Sequence, residues 1–285
     1  MKREIDAIIS TNKNLLVIEK LIDEIFSQKG KFKTKIIIMH QYKKNYHKPK
    51  FLLNKNIIYR NLDIQNLSNA KNEGIKLSKA NLITIIDDDV QIKNDYFLSS
   101  WKFINKNKCD LMFCKIYKFK SKIPFSKNMK SYDHEVSYHN SSGCLASSMW
   151  INNKNKKKVF FDKNIGLGGQ FGSGDETDYI FSSLGLKRKV YYNSKVSMYA
   201  PQEFIGLNTF SQIYKKFISY GKGQGAVYKK HINKNRSLFI LLFFSSLGKS
   251  LIAIIIYTFL LSFKNIIKHT SLFCGKFLGF YKYKS

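Results

Sequence analysis

The sequence predicts an α/β fold with a mainly parallel sheet, followed by an apolar C-terminal element. Three observations carry that expectation. Short runs of branched apolar residues alternate with segments of helical spacing over the first 90 residues, as strands joined by crossover helices do. Core-forming residues are abundant over the 285 positions, 44% hydrophobic and 15% aromatic, which suits a buried core and not a disordered tract. Near residue 236 the composition shifts to a long apolar stretch. In open α/β sheets ligands bind beyond the carboxyl ends of the strands, so the residues after each strand are where chemistry is expected.

In chain order, residues 5–9 (Ile-Asp-Ala-Ile-Ile) form a first apolar strand that ends at Ser10, Thr11 and Asn12. Residues 15–26 place apolar side chains at helical spacing. Residues 35–39 (Lys-Ile-Ile-Ile-Met) and 56–59 read as two more strands, 66–79 as a helix and 82–86 (Leu-Ile-Thr-Ile-Ile) as a further buried strand. The stretch 100–165 is mixed and polar; within it stand Trp101 and Trp150, read as core or cleft-wall residues. Gly166, Gly168, Gly169, Gly172 and Gly174 then precede Asp175-Glu176-Thr177-Asp178 and an apolar-periodic segment that ends at Gly185. Gly221, Gly223 and Gly225 lack the strand-before, helix-after context of a dinucleotide loop and read as a tight turn or an acceptor-side loop.

Charge and cysteine usage narrow the function classes. Lys plus Arg number 49 against 19 Asp plus Glu, a formal net charge of +30, and only Arg3, Arg60, Arg188 and Arg236 are arginines. Base-edge and bidentate phosphate readers lean on arginine, so this lysine excess argues against specific nucleic-acid recognition; it reads first as compositional bias, Lys, Asn and Ile all being abundant, and second as attraction to an anionic membrane surface. Cys109, Cys114, Cys144 and Cys274 form no C-x-x-C pair and read as free thiols of a reducing compartment. The N-terminus has no apolar stretch of signal-peptide length, so a cytosolic start is expected. Residues 238–263 are long enough to span a bilayer, which takes about 20 residues, but Lys249 sits in their middle, at a cost of about 2.5–3.5 kcal/mol on insertion scales. Lys229, Lys230, Lys234 and Arg236 precede the stretch, and Lys264, Lys268, Lys276, Lys282 and Lys284 follow it. Two short interfacial helices or one span fit equally, and the basic flanks favour peripheral attachment, monotopic or single-span, to the cytoplasmic face of the inner membrane.

Two acidic clusters carry the candidate chemistry. Asp87, Asp88 and Asp89 directly follow a buried strand. In extended chain, residues i and i+2 share a face, so Asp87 and Asp89 can address one ion while Asp88 points elsewhere. Mg²⁺ and Mn²⁺ favour oxygen ligands, with one or two carboxylates completed by substrate phosphates. Asp175-Glu176-Thr177-Asp178 follows the glycine-rich loop and offers a general base; the same residues also suit the first turn of a helix, where carboxylates meet the dipole favourably. His134-Glu135 with His139 lacks the spacing of a zinc-protease helix.

The strand ending in Ser10-Thr11-Asn12, the segment Leu67-Ser68-Asn69-Ala70-Lys71-Asn72-Glu73-Gly74-Ile75, the strand ending in Asp87-Asp88-Asp89, the run from Phe161 to Phe181 with its acidic cluster, and Tyr220–Val227 with Lys230-His231 together resemble family 2 glycosyltransferases of GT-A fold, of the bacterial surface-polysaccharide type. That resemblance implies inverting transfer of a sugar from a nucleotide-diphosphate-sugar donor to a saccharide or lipid-linked acceptor. It implies Asp87 and Asp89 as ligands of a divalent cation (Mn or Mg), Asp88, Thr11, Asn12 and Lys71 as donor-binding residues, and Glu176, with Asp175 as its rival, as the base. It divides the chain into a GT-A domain over 1–205, a connecting helical, glycine-rich segment over 206–236 and a membrane-associating tail over 237–285. The sequence departs from the family pattern at Met39-His40-Gln41, where an acidic residue usually ends the second strand, at the Asp175-Glu176 order, and at Ala200, where a histidine is common. These departures keep open a glycosyltransferase-like scaffold without catalysis, and the net charge keeps open a basic nucleic-acid-binding protein.

Overall fold

A computed structural model describes residues 3–41, 49–154, 158–201 and 209–284. The chain divides into two compact units, Met1–Phe160 with Leu186–Glu203 and Phe161–Gly185 with Phe204–Ser285. The boundary expected at 205/206 lies outside the described residues.

The first unit is a mixed, mostly parallel sheet with helices, the α/β architecture expected. Strands β1 (Glu4–Thr11), β2 (Lys33–His40), β3 (Ile57–Asn61) and β4 (Leu82–Asp87) run parallel in the order β3-β2-β1-β4. Ile5, Ile8, Ile9, Leu82 and Ile83 are fully buried, which is why these strands read as continuous branched runs: a parallel sheet is covered on both faces. Asp6 interrupts the apolar run of β1 because its carboxylate accepts hydrogen bonds from Ser78 Oγ and the backbone N–H groups of Lys79 and Ala80 at 2.7–3.2 Å. The segment 15–26 begins as a 3-10 turn, capped by the Asn14 side chain, before α1 (Glu19–Phe26). Helix α2 (Leu67–Leu77) lies so close to β1 that a Cβ at Gly74 would sit 2.5 Å from Ile8 Cγ2.

The sheet continues through five further strands, three of them only two to four residues long. These are β5 (Gln91–Ile92), β6 (Leu111–Lys118), β7 (His134–Glu135), β8 (Met149–Asn152) and β9 (Val190–Ala200), with β8 antiparallel to both β4 and β6. Helix α3 (Tyr96–Asn107) brings Phe97 edge-on to Trp150, whose indole N–H donates to Tyr96 Oη at 2.9 Å. Trp150 is thus a core residue, while Trp101 lies 5.0 Å beneath the Arg3 guanidinium.

The second unit is helical: α4 (Asp175–Gly185), α5 (Phe210–His231), α6 (Arg236–Phe259) and α7 (Phe263–Lys282). Gly221, Gly223 and Gly225 lie inside α5 and form neither a turn nor a loop, which corrects the sequence reading. Their lack of side chains lets α7 approach backbone to backbone: a Cβ on Gly221 would lie 2.5 Å from the Leu272 carbonyl oxygen and 2.9 Å from Gly275 Cα. The apolar stretch forms one continuous helix through Lys249, not two. Phe239, Phe243, Leu247 and Ser250 bury one stripe of α6, whereas Leu241, Phe244, Leu251, Ile252, Ile255, Ile256 and Phe259 are exposed. Lys276, counted among the basic flanks, turns inward and donates to the Ser246 carbonyl and Ser250 Oγ, each at 2.7 Å; burial pulls its ammonium down to about 8.

Candidate active site

In the first unit the chemistry gathers where β1 and β4 end side by side, with Ser10 in register with Asp87 and Thr11 with His40. The chain leaves β1 toward β2 on one side while β4 flanks the other, so this is the topological switch point where open α/β sheets bind ligands. Buried Thr11 donates from Oγ1 to Asp88 Oδ2 at 2.5 Å. Lys13 Nζ stands 2.7 Å from Asp88 Oδ1 and 3.5 Å from Asp89 Oδ2. Burial pulls the Lys13 ammonium down, but these two carboxylates outweigh it and raise its pKa.

His40 holds this loop from beneath. Its Nε2 lies 3.0 Å from the Lys13 carbonyl oxygen and its Nδ1 3.0 Å from Tyr59 Oη. Burial lowers its pKa, which favours the neutral ring. A carbonyl can only accept, so the hydrogen-bond pattern assigns the proton to Nε2 and makes Nδ1 the acceptor of the Tyr59 hydroxyl. Gln41 extends the support by donating to the carbonyls of Ile64 and Asn66 at 2.7 and 3.0 Å; Asn66 in turn caps α2. Lys71 is buried on that helix, and Asn12 is exposed beside Thr11.

The strand alternation argued for Asp87 and Asp89 stops at Asp87, where β4 ends; Asp88 and Asp89 form the turn that follows. This turn brings Asp88 and Asp89 to the Lys13 ammonium. Among the described residues no group of three or more His, Cys, Asp or Glu could hold a metal by itself. Asp87 is half-buried and the Asp89 side chain is 46% exposed; two carboxylates are as many as a Mg²⁺ ion usually takes when substrate phosphates complete its shell.

In the second unit the glycine-rich loop ends at Gly174, whose φ of +91° is a conformation glycine adopts readily. Its carbonyl accepts from Asp178 N at 2.9 Å. The first turn of α4 then carries buried Asp175, half-buried Glu176 and fully buried Asp178. The helix-start reading holds: the acidic residues form the first turn of α4. Asp178 Oδ1 pairs with His231 Nε2 at 2.8 Å and its Oδ2 with Lys230 Nζ at 2.8 Å. Lys230 also reaches Asp162 at 2.9 Å, and Asp162 accepts the Tyr283 hydroxyl at 2.7 Å. Although burial opposes it, Lys230, the Asn164 N–H and Tyr283 hold the Asp162 carboxyl below the usual range. Burial likewise pulls the His231 pKa down.

Sequence reasoning missed Lys13 and His40 as loop-holding groups, and it missed the roles of Asp162, Asp178 and Tyr283. The one signal available was that Lys230-His231 and Asp178 stood inside quoted segments without a part in the expected reaction.

Comparison with known proteins adds the following. The family model described as "Glycosyl transferase family 2" matches residues 7–174. No curated protein matches. Among solved structures, S. aureus TarS is similar at a TM-score of 0.58 and 13% identity over 81% of this chain, which spans 44% of TarS. The TarS fragment 1–349 in complex with UDP gives 0.57 at 12% identity, covering 97% of this chain and 90% of the fragment. The mannosyltransferase PcManGT from Pyrobaculum calidifontis, in complex with GDP-Man and Mn²⁺, gives 0.62 at 10% identity, covering 100% of this chain and 89% of its own. At these identities the structural likeness speaks for a GT-A fold.

Proposed function

As the chain belongs to glycosyl transferase family 2 and is a glycosyltransferase, we propose that it moves a sugar, with inversion, from a nucleotide-diphosphate-sugar donor to a saccharide or lipid-linked acceptor in surface polysaccharide synthesis. The observation that carries the donor side is the hydrogen-bonded set of Thr11, Lys13 and Asp88 at the β1/β4 switch point. The nucleotide complexes of the similar folds, with UDP, UDP-GlcNAc and GDP-Man, support a donor of that class.

In this reading Thr11, Asn12, Lys71 and Asp88 bind the donor, and Lys13 adds a positive charge for its diphosphate. Asp87 and Asp89 would hold a divalent cation, Mn or Mg. When bound, the ion supplies Lewis-acid stabilisation of the departing diphosphate. Glu176, or its neighbour Asp175, takes the proton from the acceptor hydroxyl as that oxygen attacks the anomeric carbon; the C–O bond to the nucleoside diphosphate breaks and its electron pair leaves with the phosphate. One displacement with one base and no carboxylate nucleophile inverts the anomeric centre.

A lipid-linked acceptor also accounts for α6. Its exposed apolar side chains, with Lys229 and Lys234 before the helix, Arg236 at its start and Lys264 and Lys268 after it, suit a peripheral site on an anionic, cytoplasm-facing leaflet. The test is the melting temperature of detergent-purified protein with UDP or GDP, each with and without Mn²⁺. A ligand that binds only the native state raises the melting temperature by mass action. Stabilisation that needs both nucleotide and metal, and is absent from Asp89→Ala, supports the reading. Stabilisation without metal removes the ion from it, and no response to any nucleotide removes the donor assignment.

A further inference from the structure

The reaction as proposed gives no part to Asp162, Asp178, Lys230, His231 and Tyr283, although they form a largely buried ionic network in the second unit. Asp178 lies three residues after Asp175 in the first turn of α4. Both oxygens of its fully buried carboxylate are taken by donors from the last turn of α5, His231 Nε2 and Lys230 Nζ. The placement agrees with the end charges of both helices, the Asp178 carboxylate at an N-terminus and the Lys230 cation at a C-terminus. Lys230 passes on to Asp162, and Asp162 is gripped by Tyr283 just beyond α7. The His231 ring is flanked by Phe181 of α4 at 5.6 Å and Phe239 of α6 at 5.5 Å. One network therefore ties the first turn of α4 to the other three helices of its unit.

Such a network is a poor way to gain stability. Buried ion pairs are often matched or bettered by apolar residues of the same volume, whereas breaking one partner of a pair is costly. What the network does provide is direction, because each bond fixes an angle as well as a distance. His231 fits this purpose: its Nδ1 is buried without a hydrogen-bond partner among the described residues, which suits a neutral ring with its single proton on Nε2, aimed at Asp178.

We propose that Asp178, His231, Lys230, Asp162 and Tyr283 are positioning residues for the acceptor-side base, fixing the angle at which α4 presents Asp175 and Glu176. This rests on the reading that one of those two carboxylates is the base. Misplacing a reacting group by about 1 Å can cost on the order of 100-fold in rate, so a network remote from the bond-making atoms can govern turnover.

The experiment compares His231→Gln, which keeps an N–H for Asp178, with His231→Phe, which keeps the aromatic filling between Phe181 and Phe239 but donates nothing. Tyr283→Phe removes a single hydroxyl and tests the far end of the network. Hydrogen exchange of the full-length, detergent-purified protein is read over residues 174–185, and turnover is read as nucleoside diphosphate released from UDP- or GDP-sugars with Mn²⁺. We expect His231→Phe to lose exchange protection in the first turn of α4 and to lower kcat by at least about tenfold with the donor KM within about twofold. His231→Gln should recover most of both. Tyr283→Phe should fall between them. Wild-type protection and kcat in His231→Phe would overturn the proposal, since packing alone would then hold the helix. If His231→Phe does not fold, unchanged kcat in a folded Tyr283→Phe overturns it instead. Full activity in both Glu176→Gln and Asp175→Asn would sink the base assignment, and the exchange result would still report on the network.

Discussion

Adding one methyl group in each of two helices should produce opposite changes in stability. Alanine is favoured over glycine in a helix interior by about 0.8–1.0 kcal/mol. Gly248 lies within α6, and a Cβ there meets nothing within 4 Å, so Gly248→Ala should express most of that gain. Gly221 faces α7, where a Cβ would stand 2.5 Å from the Leu272 carbonyl oxygen, 2.9 Å from Gly275 Cα and 3.0 Å from Gly275 C. All three atoms are backbone, so no side chain can swing aside, and the two helices must part by roughly 1 Å. Overpacking of this kind costs about 1–3 kcal/mol, which exceeds the propensity gain over most of its range. Gly221→Ala should therefore melt below the wild type and Gly248→Ala above it, at about 4 °C per kcal/mol for a unit of roughly 100 residues. The assay is far-UV circular dichroism at the helical band. Tryptophan fluorescence is the wrong probe, because Trp101 and Trp150, the two tryptophans of the sequence, both belong to the first unit. If Gly221→Ala stabilises as much as Gly248→Ala does, the backbone-to-backbone approach of α5 and α7 is refuted.

Three other outcomes are expected. Lys13→Met removes a half-exposed ion pair worth about 0–1 kcal/mol, so the melting temperature should barely move; loss of a positive charge near the diphosphate, on the order of 1 kcal/mol, should weaken UDP or GDP binding roughly fivefold while Mn²⁺ alone binds more tightly, and calorimetry showing equal affinities would contradict it. Burial holds the His40 imidazole below its ordinary pKa, so the unfolded chain binds more protons near pH 6. Its contribution is present above about 6.5 and is lost as pH falls through the lower folded value; the fall in melting temperature from pH 7.5 to 5 should be shallower in His40→Gln, and an unchanged slope would exclude His40 as a source. Ile252→Asp with Ile255→Asp, on the exposed face of α6, should reduce co-sedimentation with anionic phosphatidylglycerol vesicles without lowering the melting temperature, and undiminished binding would remove α6 from the membrane contact.

The parts of the fold legible in the sequence are those whose pattern is set by burial alone. Strands β1, β2 and β4 carry Ile-rich runs because most of their residues are buried on both faces, and α2 and α4 announce themselves by periodicity bounded by Asn66 and Gly185. Beyond β4, strands β5, β7 and β8 were illegible because they contain two to four residues each, too short for a period to register. Gly221–Gly225 misled because local propensity argues against helix there, and only the partner helix α7 supplies the reason for those glycines. At the candidate site the acidic clusters were visible as composition, but their partners were not. Lys13 meets Asp88 across 75 positions and His231 meets Asp178 across 53, separations at which a single sequence holds no pairing signal.

The same contacts decide how membrane association must be tested. Cutting the chain near residue 236 would remove the apolar helix, but it would also remove far more. Helix α7 packs its glycines against α5, Lys276 satisfies carbonyl and hydroxyl groups of α6 from α7, and Tyr283 holds Asp162 in the network that grips Asp178. Loss of activity on truncation would therefore follow from a dismantled acidic turn whether or not α6 touches lipid. Substitution on the exposed face avoids this, because Ile252 and Ile255 are 59% and 50% exposed and lie off the buried Phe239–Phe243–Leu247 stripe. A variant altered only there keeps the Gly221–Gly275 approach and the Asp178 network. If it loses vesicles but retains nucleotide binding, attachment and donor recognition are separable functions of one chain.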